Sequence, residues 1–376
     1  MKFKFSKSFC AAFVLLAFGD SVFGNPTNTL TEAQRLNITF EALSRLEGID
    51  LGKNPQLKTA VEKLLAKTRG TAQFVQIVKQ LNLKNQNEGL LEVAIKHPAK
   101  EYGVEAMRLI LANKNFVLLK NGLQSGNAIK VAEALGNSGK KEAVPLLMEI
   151  VTDKRDLPLR KQAVRSAAQI QDGAEQLLNL ATEEKLAKDL KLTVSTELNN
   201  VRWEKIKTDA AKFLPFAQGR DANPLPGMAE LLKKKGSAAK GEKIFFATET
   251  ACSTCHLVRG QGTEVGPALT EIGDKLGKEA LFESILEPGA GISFGYEAHQ
   301  IELKSGDEAY GLIVSETDDE LVMKDLKGIV TRHKKRDVAK RQQMKTSIMP
   351  TGLAQTMSAQ ELVDLVEFLS SLRKAK

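Results

Sequence analysis

Apolar residues recur at helical spacing through the first half of the chain. In residues 55–68, the side chains of Leu57, Val61, Leu64 and Leu65 fall on one face of a helix. The same period continues in residues 101–113, 126–139, 141–153, 157–170 and 173–185. Breaks such as GNSGK and TDKRDLP separate these apolar segments. The pattern therefore predicts successive amphipathic helices from about residue 30 to residue 215.

A weak internal repeat runs through these predicted helices. The tripeptides Ala134-Leu135-Gly136 and Gln169-Ile170-Gln171 lie about 35 residues apart, each ahead of another helix. This arrangement resembles a short HEAT-like α-solenoid, in which helix pairs stack on their neighbours. Because the repeat is degenerate, an irregular helical bundle is the alternative. We assign residues 25–215 to this HEAT-like helical repeat domain.

The pattern changes after the helical repeats. Prolines and glycines punctuate the sequence around residues 216–236, which we interpret as a linker, so that a second domain covers residues 237–376. Within this domain, residues 295–333 alternate apolar and polar positions, with turn signals at SGDE, TDDE and LKG. This period predicts an insertion of three or four antiparallel strands.

The last segment, MSAQELVDLVEFLSSLRK, predicts a terminal helix. Ser358 and Glu361 have the spacing of a capping box. The residues that follow form one apolar stripe: Leu362, Leu365, Val366, Leu369 and Leu372.

The N-terminus has the layout of a secretory signal peptide. Three lysines in MKFKFSKSF precede an apolar run from Phe9 to Phe18, and Val22 and Gly24 supply small residues before a cleavage site at Asn25. The apolar run is shorter than the roughly 20 residues that a membrane span needs. We expect residues 1–24 to be removed and the mature protein to be periplasmic or secreted, without a transmembrane segment. An uncleaved N-terminal anchor is the alternative.

Charge and cysteine content narrow the choice of function. The net charge is +8 for the whole chain and about +6 without residues 1–24, which is mild, and no nucleic-acid-binding motif accompanies it. We therefore expect no nucleic-acid partner. Of the three cysteines, only Cys252 and Cys255 remain after cleavage.

These two cysteines belong to the sequence ACSTCH, which ends in His256. The spacing C-x-x-C-H is the attachment signature of c-type haem. The two thiols can form thioethers with the vinyl groups on one edge of a porphyrin, and the adjacent imidazole becomes the proximal iron ligand. A thioredoxin-like redox pair would need a βαβ context, and a zinc site would need a fourth ligand. A structural disulfide is the remaining alternative.

The flanking segments resemble a small cytochrome c. AKGEKIFFATETACSTCH resembles the N-terminal helix of that family, with Gly241 and Phe245 ahead of the haem cysteines, and VGPALTEIG resembles the loop after the haem histidine. The resemblance implies that the carbonyl of Pro267 accepts a hydrogen bond from Nδ1–H of His256. ELVDLVEFLSSL resembles the terminal helix, whose aromatic residue, here Phe368, crosses the first helix near its glycine.

The sixth iron ligand is expected in the loop before the last helix. Met349, in SIMPTGL, is followed by a proline, and cytochromes c place their axial methionine in such a loop. Two other methionines are rivals, and two histidines in the insertion would give bis-histidine ligation instead: Met344, Met357, His299 and His333. His97 lies in the other domain and is interpreted as a surface residue at a helix end.

The long separation between His256 and Met349 is explained by the β insertion. With it, residues 237–376 resemble the haem-binding cytochrome c domain common in planctomycete and verrucomicrobial bacteria. That domain often follows helical repeats, and in longer members a β-propeller dehydrogenase-like domain, which this chain does not show. The expected fold is therefore mainly α, a HEAT-like α-solenoid followed by a cytochrome c-like helical domain with a small antiparallel β insertion.

The function expected from these features is one-electron transfer by an exported protein with one covalent haem c. The helical repeats would dock a redox partner, either a periplasmic dehydrogenase or a terminal acceptor. Two lysine-rich runs, residues 231–243 and 332–341, would orient an acidic partner, although each also reads as a solvated face. The alternatives are a peroxidase-like haem enzyme with a displaceable sixth ligand and a helical-repeat scaffold with a haem sensor module.

Overall fold

A computed structural model describes residues 54–215, 224–247 and 250–374. It is mainly helical with small antiparallel sheets, which confirms the predicted fold class. The chain divides into two units, Met1–Ala134 and Leu135–Lys376. The predicted signal peptide, residues 1–24, lies outside the described residues. Across the described ranges, no helix combines the length and apolar character needed to traverse a bilayer.

The described part of the first unit consists of short helices. They are α1 (Pro55–Thr68), α2 (Ala72–Gln80), α3 (Asn87–Lys96), α4 (Glu101–Ala112), α5 (Phe116–Gly122) and the start of α6 (Ala128–Asn137). Asn54 caps α1 by accepting a hydrogen bond from the Leu57 amide at 3.1 Å. The four apolar positions predicted for this helix are all buried. The apolar face predicted from the sequence is therefore the face by which the helix packs.

The second unit continues the helical array. Its helices are α7 (Val144–Thr152), α8 (Leu157–Ala167), α9 (Gln171–Thr182), α10 (Lys191–Leu198) and α11 (Glu204–Phe213). Gly136, in the first copy of the repeated tripeptide, lies against α8. A Cβ atom added there would come within 2.6 Å of the Cα atom of Ser166. The glycine therefore allows two backbones to approach closely.

The segment interpreted as a linker contains packed residues where the structure describes it. Residues 224–236 contain a short helix, α12 (Met228–Lys233), and Leu231 is fully buried. Leu231 belongs to the same apolar cluster as the terminal helix, and Leu225 and Met228 pack against that cluster. The prolines and glycines predict an irregular backbone, but the side chains of Leu225, Met228 and Leu231 pack this backbone against the C-terminal core.

Two helices cross at the centre of the C-terminal core. They are α13 (Ala238–Phe245) and, after α14 (Ile272–Lys275) and α15 (Lys278–Leu286), the terminal helix α16 (Ala359–Ser371). Gly241 lies at the crossing, where an added Cβ atom would overlap the carbonyl oxygen of Asp364 and lie 2.7 Å from Cβ of Phe368. The rings of Phe245 and Phe368 have their centroids 5.8 Å apart. The predicted aromatic crossing beside a glycine is therefore present.

The N-termini of both helices are capped, α16 by its own capping box and α13 by a side chain of α16. The predicted capping box of α16 is present, because the Ser358 hydroxyl accepts from the Glu361 amide and the Glu361 carboxylate accepts from the Ser358 amide. Asp364 is buried within α16, and its Oδ1 atom accepts a hydrogen bond at 2.8 Å from the amide of Ser237, the residue that precedes α13. The side chain thus satisfies an otherwise unpaired helix N-terminal donor.

The insertion forms a sheet with more strands than predicted. Before it lies a short hairpin of β1 (Leu257–Val258) and β2 (Gln261–Gly262). The antiparallel strands of the insertion are β3 (Ala298–Leu303), β4 (Glu308–Glu316), β5 (Glu320–Lys324), β6 (Val330–Lys334) and β7 (Val338–Gln343). Their order in the sheet is β6-β5-β4-β3-β7. Strand β7 lies beyond the predicted limit of residue 333. It was missed because five of its six residues are exposed, so it carries no apolar alternation.

Side chains connect the sheet to the helical array of the second unit. Nζ of Lys140 lies 2.6 Å from the carboxylate of Asp307, and Arg202 lies 3.0 Å from the carboxylate of Glu308. The Arg202 guanidinium also lies over the ring of Trp203, 4.2 Å from its centroid. The sheet and residues 140 and 202 of the helical array belong to the same unit, Leu135–Lys376.

Candidate functional site

The two cysteines of the C-x-x-C-H motif lie on a single tight turn. A 3₁₀ turn covers Cys252–Thr254, and the amides of Cys255 and His256 both donate hydrogen bonds to the carbonyl of Cys252, at 3.2 and 2.9 Å. Both thiols are free, so the structure does not pair them in a disulfide. The turn brings the two thiols and the imidazole together in one compact group.

Burial keeps the thiols protonated. Removal from solvent raises the pKa of Cys252 to about 11, although a hydrogen bond with Thr250 opposes the rise. Burial also raises the pKa of Cys255. Redox-active cysteine pairs instead hold a thiol whose pKa is lowered by a positive environment. The local electrostatics therefore disfavour a thioredoxin-like site.

His256 is fixed by one strong hydrogen bond. Its Nδ1 atom lies 2.7 Å from the carbonyl oxygen of Pro267, as the resemblance implied. A carbonyl only accepts, so Nδ1 carries the proton and Nε2 keeps its lone pair. Burial lowers the pKa of His256, while the bond to Pro267 opposes that shift. The ring is therefore held neutral, the form in which histidine binds metals.

A loop of four residues supports the other side of the imidazole. The amides of Val265 and Gly266 both donate to the carbonyl of Cys255, at 3.0 and 2.8 Å, and the Thr263 amide donates to the carbonyl of Ser253 at 3.0 Å. An added Cβ atom at Gly266 would lie 2.7 Å from Cε1 of His256. Only glycine allows the loop to lie this close to the ring. Sequence reasoning did not single out Gly266, although its position before Pro267 was a signal.

The apolar core adjoins the motif. Cys252 and Met349 both pack against the buried cluster that contains Phe245, Phe368 and Met357. Met357 is almost fully buried and is a core residue. The Met344 amide instead bonds the carbonyl of Ala298, at the start of strand β3. Of the three candidate methionines, Met349 is therefore the one that is half-buried beside the same cluster as a motif cysteine.

The candidate histidines lie elsewhere. His299 lies on β3 and His333 on β6, as predicted, and Nε2 of His333 is 2.9 Å from the hydroxyl of Thr331. His97 follows the last residue of α3, a helix end as predicted, and its ring meets that of Tyr102 edge to face. Within the described ranges, no group of three or more His, Cys, Asp and Glu side chains is placed to hold a metal ion.

The donor set fits a covalently attached haem. Two free thiols, a neutral imidazole with an available Nε2 lone pair and an adjoining apolar cluster are the groups that such a cofactor requires. Residues 238–323 match the profile of the cytochrome c family. A search of curated proteins found no match to the chain.

Proposed function

Starting from a c-type cytochrome domain at the C-terminus, we propose that the protein is an exported electron carrier with one haem c per chain. The observation that carries the proposal is the bond between His256 Nδ1 and the Pro267 carbonyl beside two free, protonated thiols. This bond leaves Nε2 of the imidazole ready to bind iron. A structural role for the motif would not require an imidazole held in one tautomer.

Five residues of this chain would hold the cofactor. Cys252 and Cys255 would form the thioethers, His256 would be the proximal ligand, Pro267 would orient it, and Met349 would be the distal ligand. When bound, the haem supplies an iron centre that accepts and releases one electron, and histidine–methionine ligation raises its reduction potential. A strong distal ligand would keep oxygen and peroxide from the iron, which favours an electron carrier over a peroxidase-like enzyme.

The partner is proposed to be an acidic redox protein, either a periplasmic dehydrogenase or a terminal acceptor. The two lysine-rich runs differ in how many of their side chains form ion pairs. In the first, exposed side chains have no ion-pair partner among the described residues: Lys233, Lys234, Lys235, Lys240 and Lys243. In the second, Arg332 pairs with Glu320, and Lys335 and Arg341 share Glu316. The first run is therefore the better supported docking surface.

Two further parts of the proposal rest on sequence. We propose that residues 1–24 direct export and that the domain is of the planctomycete and verrucomicrobial type. The helical array, with its close approach at Gly136, supports the HEAT-like interpretation of the repeats, which would dock the partner.

Ligand assignment is tested by comparing Met349→Ala with Met344→Ala in exported protein. Wild type should show a low-spin ferric spectrum with the weak long-wavelength band of iron–methionine ligation, and a mass increased by one haem. Met349→Ala should lose the band, while Met344→Ala should keep it. Survival of the band in Met349→Ala would reject Met349 as the distal ligand. A mass equal to that of the polypeptide alone would reject a covalently bound haem. A high-spin wild-type spectrum with peroxide turnover would favour the haem enzyme.

The docking surface can be probed with small redox reagents. The double variant Lys240→Glu with Lys243→Glu should slow oxidation by ferricyanide, an anion, and the effect should shrink as ionic strength rises. The double variant Lys334→Glu with Lys340→Glu, at exposed positions on strands β6 and β7, is the control matched in charge. Equal slowing by both would show that net charge alone sets the rate.

A further inference from the structure

A rigid turn joins strands β5 and β6. The carboxylate of Asp325 accepts hydrogen bonds from the amides of Lys327 and Ile329, both at 2.8 Å, and the Gly328 amide donates to the Asp325 carbonyl at 3.0 Å. Gly328 has a φ of +76°, which glycine adopts without strain. Ile329 is buried. The turn is therefore stabilised by its own hydrogen bonds and by burial of Ile329.

One side of this turn rests on the loop that supports the haem histidine. A Cβ atom added at Gly328 would lie 3.3 Å from Cγ2 of Val265, which is buried. Immediately before the turn, the Lys324 ammonium donates to the carbonyl of Glu264 at 2.9 Å. One hydrogen bond, from Lys324, and a close approach of the backbone at Gly328 thus join the end of the hairpin to residues 264 and 265.

The supported loop leads directly to the imidazole. Val265 and Gly266 are bonded through their amides to the carbonyl of Cys255, and Gly266 lies against the ring of His256. Pro267, the next residue, accepts the Nδ1 hydrogen bond. A shift of a few tenths of an ångström at Val265 would therefore change the geometry of that bond.

The other side of the turn reaches the helical array. Nζ of Lys327 donates to Oδ1 of Asn137, the last residue of α6, at 2.8 Å, and Asn137 is buried. The charge of this amine also acts on Glu197, which lies on α10. Burial raises the pKa of Glu197, and the charges of Arg165 and Lys327 oppose the rise. The turn is therefore in contact with helices on one side and with the histidine loop on the other.

We propose that the turn Asp325–Gly328 is a brace that couples the helical repeats to the histidine loop, with Lys327 and Gly328 as positioning residues for His256. The inference rests on the proposed function and adds a regulatory role to the β insertion. A partner that displaces the repeats would shift the brace, and so alter the hydrogen bond that controls the basicity of His256 and the reduction potential.

The test uses two variants, each with a matched control in the same sheet. Gly328→Ala places a methyl group against Val265 at a positive φ. Gly306→Ala imposes the same backbone strain, at a φ of +82°, where an added Cβ atom meets nothing within 4 Å. Lys327→Met removes the amine that reaches the helices. Lys334→Met removes an exposed amine on β6 that has no side-chain partner among the described residues.

Two measurements on each full-length variant decide the proposal. Amide hydrogen exchange at Val265 and Gly266 should accelerate at least tenfold in Gly328→Ala and Lys327→Met, but not in the controls. The equilibrium constant for reduction should change at least threefold in the same two variants, about 28 mV for one electron.

Each other outcome overturns part or all of the inference. Unchanged exchange, or equal changes in test and control variants, rejects the brace. Faster exchange without a change in potential rejects the coupling to the haem. Exchange does not require a cofactor, so protein that carries no haem would refute the proposed function while exchange still decides whether the brace exists.

Discussion

The crossing of α13 and α16 provides a quantitative test of the fold. In an ordinary helix interior, replacing glycine with alanine stabilises the protein by about 0.5–1 kcal/mol. At Gly241 the added methyl would overlap the carbonyl oxygen of Asp364 and lie 2.7 Å from Cβ of Phe368. Carbon atoms prefer separations of about 3.5–4.0 Å. The backbone oxygen cannot rotate away as a side chain would, so the helices must separate.

The magnitude follows from the two opposing effects. Overpacking costs about 1–3 kcal/mol, and overlap with a backbone atom places this case in the upper part of that range, about 2–3 kcal/mol. The gain in helix propensity offsets about 1 kcal/mol of it. We therefore expect Gly241→Ala to lower the free energy of unfolding by about 1–2 kcal/mol. For a unit of this size, the melting temperature should fall by roughly 2–8 °C.

Differential scanning calorimetry of the full chain, with urea denaturation followed by circular dichroism, measures both quantities. Gly291→Ala is the control, because Gly291 is exposed, its backbone lies outside the left-handed region and an added Cβ atom meets nothing within 4 Å. That variant should unfold within about 0.5 kcal/mol of wild type. Equal or greater stability of Gly241→Ala, with the control unchanged, would refute the close approach of the two helices.

Three other predictions concern single side chains. Asp364→Leu should lower the free energy of unfolding by about 1–3 kcal/mol because it leaves the Ser237 amide unpaired, whereas Asp364→Asn keeps an acceptor. Equal losses of stability by the two variants in urea denaturation would contradict this. Arg202→Met should destabilise the protein by about 2–3 kcal/mol and expose the sheet to limited proteolysis, because it leaves the Glu308 carboxylate without its cation; an unchanged cleavage pattern would argue against that contact. In haem-free protein, alkylation of Cys252 should be slow at pH 8 and accelerate up to about pH 11, because only the thiolate reacts; a rate already maximal at pH 8 would indicate a low pKa.

Local signals in the sequence predicted local structure well. The apolar faces of the helices, the capping box at Ser358 and the glycine at the helix crossing depend on neighbouring residues or on one small side chain. The hydrogen bond from His256 to Pro267 was implied by the resemblance and is present. It joins residues only 11 positions apart.

Features that depend on distant residues were not predicted. Strand β7 exists because it pairs with β3, and its own exposed sequence carries no strand period. The ion pair between Lys140 and Asp307 spans 167 residues. GNSGK and SGDE mark the two residues as parts of turns, but nothing in the sequence marks them as partners. Long-range pairing of polar side chains leaves no pattern in a single sequence.

The order of strands in the insertion bears on how the protein behaves at high concentration. Strands β6 and β7 form the two edges of the sheet, and their unpaired backbone groups are templates onto which a neighbouring chain could add a strand. Each edge carries an exposed lysine that has no side-chain partner among the described residues, Lys334 on β6 and Lys340 on β7. Two copies that approached edge to edge would bring these like charges together, which disfavours aggregation through the edges of the sheet.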